Sequence, residues 1–186
     1  MNVLYATTND YKVLAANLAL KDFEITLDKL PAGSPDVPEI QANSQTDVAI
    51  DKALKYYELL KEPLIVMDFG FFIDDLKGFP GVYTKHANET IGTEGMVALV
   101  QSFDNPTAYT QRTIVYIDGS GYKAFSSRCT GVILKEPRGT HGRDYDFIFQ
   151  LDTTGKTLAE MTDEERAAES GEAWRELGRW LAARNN

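Results

Sequence analysis

Residues 64–73, Leu64-Ile65-Val66-Met67-Asp68-Phe69-Gly70-Phe71-Phe72-Ile73, decide how this chain folds. The first four form a short apolar run, which reads as a buried strand. Asp68 ends that run, Phe71-Phe72-Ile73 restart an apolar strand, and Asp74-Asp75 closes it. A carboxylate at the end of a buried strand is costly unless something compensates it. Downstream, Lys77-Gly78-Phe79-Pro80-Gly81 is a turn-rich loop with glycines on both sides of a proline. Gly81-Val82-Tyr83-Thr84-Lys85 then offers backbone amides and one ammonium. An acid at a strand end followed by a glycine-rich loop carrying a lysine suits a metal and a phosphorylated ligand.

Upstream, residues 2–6 (NVLYA) predict a short strand running into Thr7-Thr8-Asn9-Asp10 and a helix over 11–20. Thr8, Asn9 and Asp10 are all N-cap types. Val13, Leu14, Asn17, Leu18 and Lys21 form its stripe. A strand feeding a helix N-terminus is an anion site, because free amides and the dipole converge there. Lys12 opposes the dipole in the first turn, so it either answers a ligand or is a solvated lysine. Residues 23–27 read as a half-exposed strand. Residues 30–44 form a long loop with Pro31, Pro35, Pro38 and Glu39, and loops of that length inside a compact domain are often functional. A helix over 47–60, capped by Thr46, buries Val48, Ile50, Ala53, Leu54, Tyr57 and Leu60, with Asp47 and Lys52 open to a structural ion pair.

Beyond residue 85 the pattern predicts a helix over 92–103 and strands over 108–117 and 122–134. Asp118-Gly119-Ser120-Gly121 between those strands is a hairpin signal. A polar loop covers 137–144, a strand containing Asp146 covers 145–151, and a last helix covers 162–183 behind a Thr162–Glu165 capping box. Early alternation of strands and helices followed by a hairpin predicts an α/β protein whose mixed sheet has an antiparallel portion.

At 186 residues the chain is one domain, 1–186, with room for two lobes. A net charge of -9 excludes a general nucleic-acid-binding surface, although a few local lysines can still hold a phosphate compound. Cys129 is the only cysteine and reads as a core residue. His86 and His141 are the only histidines, so no zinc-type Cys/His cluster exists. There is no basic, apolar leader and no run long enough to span a membrane, so a cytoplasmic address is expected.

Taken in order, these segments resemble one family across nearly the whole chain, the inosine triphosphate pyrophosphatases that hydrolyse noncanonical purine nucleoside triphosphates. Its T-x-N-x-x-K motif is matched by Thr7, Asn9 and Lys12, its loop glutamate by Glu39, and its acid five residues ahead of a lysine by Asp47 and Lys52. Its D-D-S-G reads Met67-Asp68-Phe69-Gly70, and its G-x-P-G-x-Y is intact as Gly78, Pro80, Gly81 and Tyr83. Lys85, Gly131, Pro137-Arg138-Gly139, Tyr145-Asp146 and Ala159-Glu160-Met161 follow the pattern. The resemblance implies an elongated two-lobed mixed sheet flanked by helices, a cleft between the lobes and a homodimer. It also implies that Mg²⁺ is held by Glu39 and Asp68, with Asp68 also orienting or activating the water. Thr7, Asn9, Lys12, Lys52 and Lys85 would bind the triphosphate of a nucleoside triphosphate, and water attack at the α-phosphorus would release pyrophosphate and a nucleoside monophosphate.

The chain departs from the family at informative places. Met67 replaces the first of two acids, and Phe69 replaces a small residue and is expected to crowd the site. In the purine pocket G-F-G-[YW]-D-P reads Gly142-Arg143-Asp144-Tyr145-Asp146-Phe147, so Arg143 would stack on the base in place of phenylalanine, beside Tyr145 and Asp146. The base-reading S-H-R is Ser170-Gly171-Glu172, where Glu172 would accept from a donor edge. The phosphate end is kept and the base end rebuilt, which implies an altered base preference; the alternative is a catalytically weak or inactive nucleotide-binding relative.

Overall fold

In the structure, a computed structural model, residues 1–184 are described and divide into two compact units. The first comprises Met1–Asp68, Arg112–Ser127 and the chain from Ala167; the second comprises Phe69–Gln111 and Arg128–Arg166. Strands run β1 (Asn2–Tyr5), β2 (Thr26–Lys29), β3 (Leu64–Ile73), β4 (Pro80–Gly81), β5 (Thr107–Asp118), β6 (Gly121–Ile133) and β7 (Phe149–Leu151). Helices are α1 (Asp10–Ala19), α2 (Gln45–Leu60), α3 (Thr84–Thr90), α4 (Gly92–Val100), α5 (Asp163–Ser170) and α6 (Glu172–Arg184). Strand neighbours follow the order β2-β1-β3-β5-β6-β7, with β4 paired to β3. The mixed α/β sheet flanked by helices is the expected fold class. Among the described residues no helix is long and apolar enough to cross a membrane.

In the first unit β1 lies parallel to β2 and β3, with Val3 opposite Leu27 and Tyr5 opposite Ile65. Side chains alternate between the faces of a strand. Val3, Tyr5, Ile65, Ile114 and Tyr116 therefore pack with α1 and α6 through Ala16, Leu20, Trp174 and Leu177. Ala6, Leu64, Val66, Val115 and Ile117 pack with α2 through Ala49, Ala53 and Tyr56. Burial on both faces explains why residues 64–66 are continuously apolar rather than alternating. In the second unit Phe71, Ile73, Ala108, Ile133 and Phe149 form a core with Met96 and Val100 of α4 and with Leu158 and Met161. Cys129 packs against that core, as its strand position predicts.

Several sequence expectations shift. The chain does not break its strand at Asp68: β3 runs unbroken through Met67, Asp68 and Phe69, all half-buried, so the carboxylate stands mid-strand. Leu14 of α1 is exposed and Ala16, Ala19 and Leu20 form the buried face, because Asn17 is used to bond the Leu27 backbone in both directions at 2.9 and 3.2 Å. The half-exposed strand begins at Thr26 instead of Phe23. Ser44, not Thr46, caps α2, and Leu54 is exposed while Ala49 and Tyr56 are buried. The segment after Tyr83 is helical as α3, separated at Ile91 from α4. Residues 145–151 are not one strand: Asp144–Phe147 is a 3-10 turn, and only Phe149–Leu151 pairs with β6. The last helix is two, with Gly171 at the break, and the Thr162–Glu165 capping box opens α5.

Gly131 sits opposite Leu151 in the β6–β7 pair, where a Cβ would lie 2.1 Å from the Gln150 carbonyl oxygen. Gly131→Ala is expected to lower the unfolding free energy by roughly 2 to 3 kcal/mol, as other overpacked substitutions do. Urea titration followed by circular dichroism checks this.

Candidate active site

The first-unit residues fall into two adjoining stretches of structure. At the start of α1 the Asn9 side chain accepts from the amides of Tyr11 (2.9 Å) and Lys12 (3.3 Å), and Thr7 Oγ1 accepts from the Asn9 amide at 3.2 Å. The T-x-N-x-x-K spacing is thus a capping arrangement that fixes the loop and sets half-buried Lys12 in the first turn. The second stretch is the long loop that carries Glu39. It is pinned on α2: Lys55 donates to the Pro38 carbonyl at 2.8 Å and pairs with Asp51, and the Tyr56 hydroxyl donates to Asp36 at 3.4 Å. So anchored, Glu39 accepts a hydrogen bond from the Lys52 ammonium.

The structure therefore answers the Asp47–Lys52 question: Lys52 takes Glu39, and the helix-internal pair is Asp51 with Lys55. Burial works against the Lys52 charge, but the hydrogen bond and charge of Glu39, with Asp68 and Tyr56 behind it, outweigh this and raise its pKa above the ordinary value. One half-buried ammonium thus stands in the field of both acids proposed as metal ligands. The alternation of β3 places Asp68 with Leu64 and Val66, on the face that α2 covers.

Among the described residues no three acidic, histidine or cysteine side chains are grouped as a metal cage. Mg²⁺ does not need one; it is commonly held by one or two carboxylates together with phosphate oxygens and water. Two hard carboxylates gathered on one lysine fit that donor set.

In the second unit the Phe69 ring stacks on Tyr145, with centroids 5.4 Å apart and planes 12° apart, and Phe71 stacks on the same ring at 4.9 Å. Phe69 packs against the second unit's core and lies over Tyr145, a residue the sequence assigns to the base. Tyr145 is engaged by those two rings. Asp146 is buried, accepting from the Arg143 amide at 3.1 Å and from Arg166 at 3.4 Å, while Arg166 also donates to the His141 carbonyl at 2.7 Å. Asp146 thus holds the 141–146 turn together, and the Arg143 side chain is exposed. Lys85 is exposed in the first turn of α3.

Glu172, back in the first unit, bonds Arg179 at 2.6 Å and Arg175 at 2.9 Å, and those two guanidinium groups hold its carboxyl below the usual range. Two further features escape the sequence reading. Arg112 donates to the Ser170 carbonyl at 3.2 Å and Arg175 to the Ala167 carbonyl at 3.3 Å, so guanidinium groups gather where the motif itself carries none. The Tyr5 hydroxyl is buried with no hydrogen-bond partner among the described residues. A tyrosine in an apolar β1 gives no sequence signal for that.

Comparison with known proteins places these residues in context. Residues 3–180 match the profile described as the Ham1 family. A dITP/XTP pyrophosphatase of Hyperthermus butylicus is 37% identical over 181 residues, covering 96% of this chain and 94% of that protein. One from Pyrococcus horikoshii is 40% identical over 185 residues, covering 97% of each. Among solved structures, a HAM1 protein from Coxiella burnetii superposes with a TM-score of 0.82 at 24% identity, over 98% of this chain and 99% of that one.

Since Phe69 is a stacking partner rather than a plug, Phe69→Ala is expected to cost roughly 2 kcal/mol of stability, below the 3–5 typical of a fully buried phenylalanine. It should not raise turnover. Thermal melts beside a pyrophosphate-release assay decide this; a faster enzyme at unchanged Tm would show that the ring obstructs the site.

Proposed function

The chain belongs to the Ham1 family, and from that premise we propose that it is a Mg²⁺-dependent hydrolase of noncanonical purine nucleoside triphosphates, releasing pyrophosphate and a nucleoside monophosphate. The observation that carries the proposal is the Glu39–Lys52 ion pair standing in the field of Asp68. The long, high-coverage likeness to dITP/XTP pyrophosphatases supports the substrate class.

In this reading Glu39 and Asp68 hold the ion, which when bound neutralises charge on the phosphate oxygens. Lys52 and Lys12 carry the remaining anionic charge, and Thr7 and Asn9 fix the loop from which Lys12 projects. Asp68 also orients the attacking water and accepts its proton as the new bond to the α-phosphorus forms and the bond to the bridging oxygen breaks. Such a displacement depends on alignment and charge neutralisation more than on covalent help. Lys85 for the phosphates, and Arg143 with Tyr145 for the base, carry over from the family resemblance. Asp146 contributes by shaping the turn that carries Arg143.

The base preference is proposed to differ from that of the relatives. Glu172 stands where the family has a cation, and a carboxylate held by two guanidinium groups still has acceptor capacity for an amino group. A homodimer is proposed as well, supported by Phe79 and Tyr83, large exposed aromatics of the second unit.

A panel of ITP, XTP, dITP and the ordinary triphosphates with Mg²⁺, read by pyrophosphate release, tests the activity. Turnover is expected, with kcat/KM for ITP within about tenfold of that for GTP, a difference of about 1.4 kcal/mol in transition-state binding. No turnover of any triphosphate would refute the enzyme. Asp68→Asn should lower kcat by about a hundredfold or more, on the scale of lost general-base catalysis, at near-constant Tm. Light scattering after gel filtration checks the dimer.

A further inference from the structure

Thr84 opens α3 and is buried, 4% exposed. Its hydroxyl works in both directions: the Phe71 amide of β3 donates to Oγ1 at 2.8 Å, and Oγ1 donates to the Gly81 carbonyl of β4 at 2.6 Å. Phe71 and Gly81 stand opposite each other in the β3–β4 pair. One side chain therefore ties a strand, the glycine loop and the start of a helix together. A hydroxyl has a single proton, and here it is spent inside the protein, so Thr84 serves its neighbours.

The loop it ties is held by a second set of contacts. Gly81 has φ +58°, and a Cβ there would lie 2.9 Å from the Gly78 carbonyl oxygen and 3.1 Å from the Phe72 ring. A Cβ on Gly70 would lie 2.6 Å from the same ring, so Phe72 lies against both glycines. Phe72 stacks on Tyr109 with centroids 4.8 Å apart and planes 5° apart, and the Arg128 guanidinium lies 4.4 Å over Tyr109, fixed by its bond to Gln111 at 2.8 Å. A ring ladder and one buried hydroxyl thus hold the loop, and Lys85 follows it, exposed in the first turn of α3. A lysine there opposes the helix dipole, so the helix does not account for it. Lys12 is set in the same way, directly behind the Thr7 and Asn9 hydrogen bonds at the start of α1.

We propose that Thr84 is a positioning residue for the phosphate end of the site: its hydroxyl fixes the start of α3, so that Lys85, the next residue, meets the triphosphate on backbone that is already ordered. The inference rests on the proposed assignment of Lys85 to the phosphates. Adjacent Cα atoms are about 3.8 Å apart, so fixing Thr84 fixes the root of the Lys85 side chain. Ordering a loose side chain or loop on binding costs up to about tenfold in affinity, and a pre-set root avoids that cost. Thr84 thereby acts on binding and leaves the chemical step at Asp68 alone.

Thr84→Val removes the hydroxyl and keeps the branched shape, while Thr84→Ser keeps the hydroxyl. Calorimetric titration with inorganic tripolyphosphate in the presence of Mg²⁺ should show Kd raised about tenfold in Thr84→Val and restored to within about twofold of native in Thr84→Ser. KM for ITP should rise by about the same tenfold factor in Thr84→Val while kcat stays within about twofold. In a Lys85→Ala background, Thr84→Val should have no further effect on Kd. Thr84→Val also strips a buried amide and carbonyl of their partner, so its Tm should fall, and Thr84→Ala takes its place if it does not fold. A lower Tm with unchanged Kd would make the hydroxyl structural and overturn the inference, as would an undiminished effect in the Lys85→Ala background. If the native protein binds tripolyphosphate but hydrolyses no triphosphate, the enzyme reading fails separately, and the Kd values still decide the role of Thr84. A native protein that binds no tripolyphosphate overturns the phosphate role of Lys85 and this inference with it.

Discussion

A carboxylate half-buried in the middle of a strand carries a desolvation cost, and the Lys52 ammonium of α2 stands in its field. Asp68 interrupts the apolar run of β3 without interrupting its backbone. Lys52 stands in the fields of Asp68 and Glu39 together, and those acids keep the half-buried ammonium charged.

Much of the surrounding architecture serves to place that ammonium. Ser44 caps α2 and sets its phase, and Ala49, Ala53 and Tyr56 seat the helix on the sheet face of Leu64 and Val66. Small residues at 49 and 53 seat α2 close on the sheet, and Lys52 on the same helix carries its ammonium into the field of Asp68. The proline-rich loop then crosses α2, held by Lys55 and Tyr56, and presents Glu39 to the same ammonium. Strand, helix and loop contribute one charged group each. This is why three weak local signals, far apart in sequence, describe a single place in the first unit.

The sequence made β1, the Asn9 and Thr162 caps and the order of the motifs legible because these depend on neighbours within a few residues. It expected Phe69 to crowd the site without showing what the ring would touch; its stacking on Tyr145 depends on which face of β3 the side chain leaves, and that face was hidden while residues 64–73 were read as two strands. The same holds for the 145–151 segment: its apolar residues suggest β structure, but buried Asp146 folds it into a turn by accepting from Arg143 and Arg166. The guanidinium groups at the α5–α6 break come from Arg112 and Arg175, one of them 58 residues away from the carbonyl it bonds, and spacing within a motif carries no trace of such a contact.

The chain's net charge of -9 does not oppose this arrangement as strongly as it suggests. At physiological ionic strength charges more than about 8 Å apart are largely screened, so a polyphosphate responds to the few groups nearest to it. The carboxylates of Glu39 and Asp68 both act on Lys52, and a pair of carboxylates there favours a cation. A phosphate that takes Lys52 must displace Glu39, and the carboxylate so released needs a positive partner of its own. Divalent cation and polyphosphate together therefore answer the Glu39, Lys52 and Asp68 charges better than either does separately.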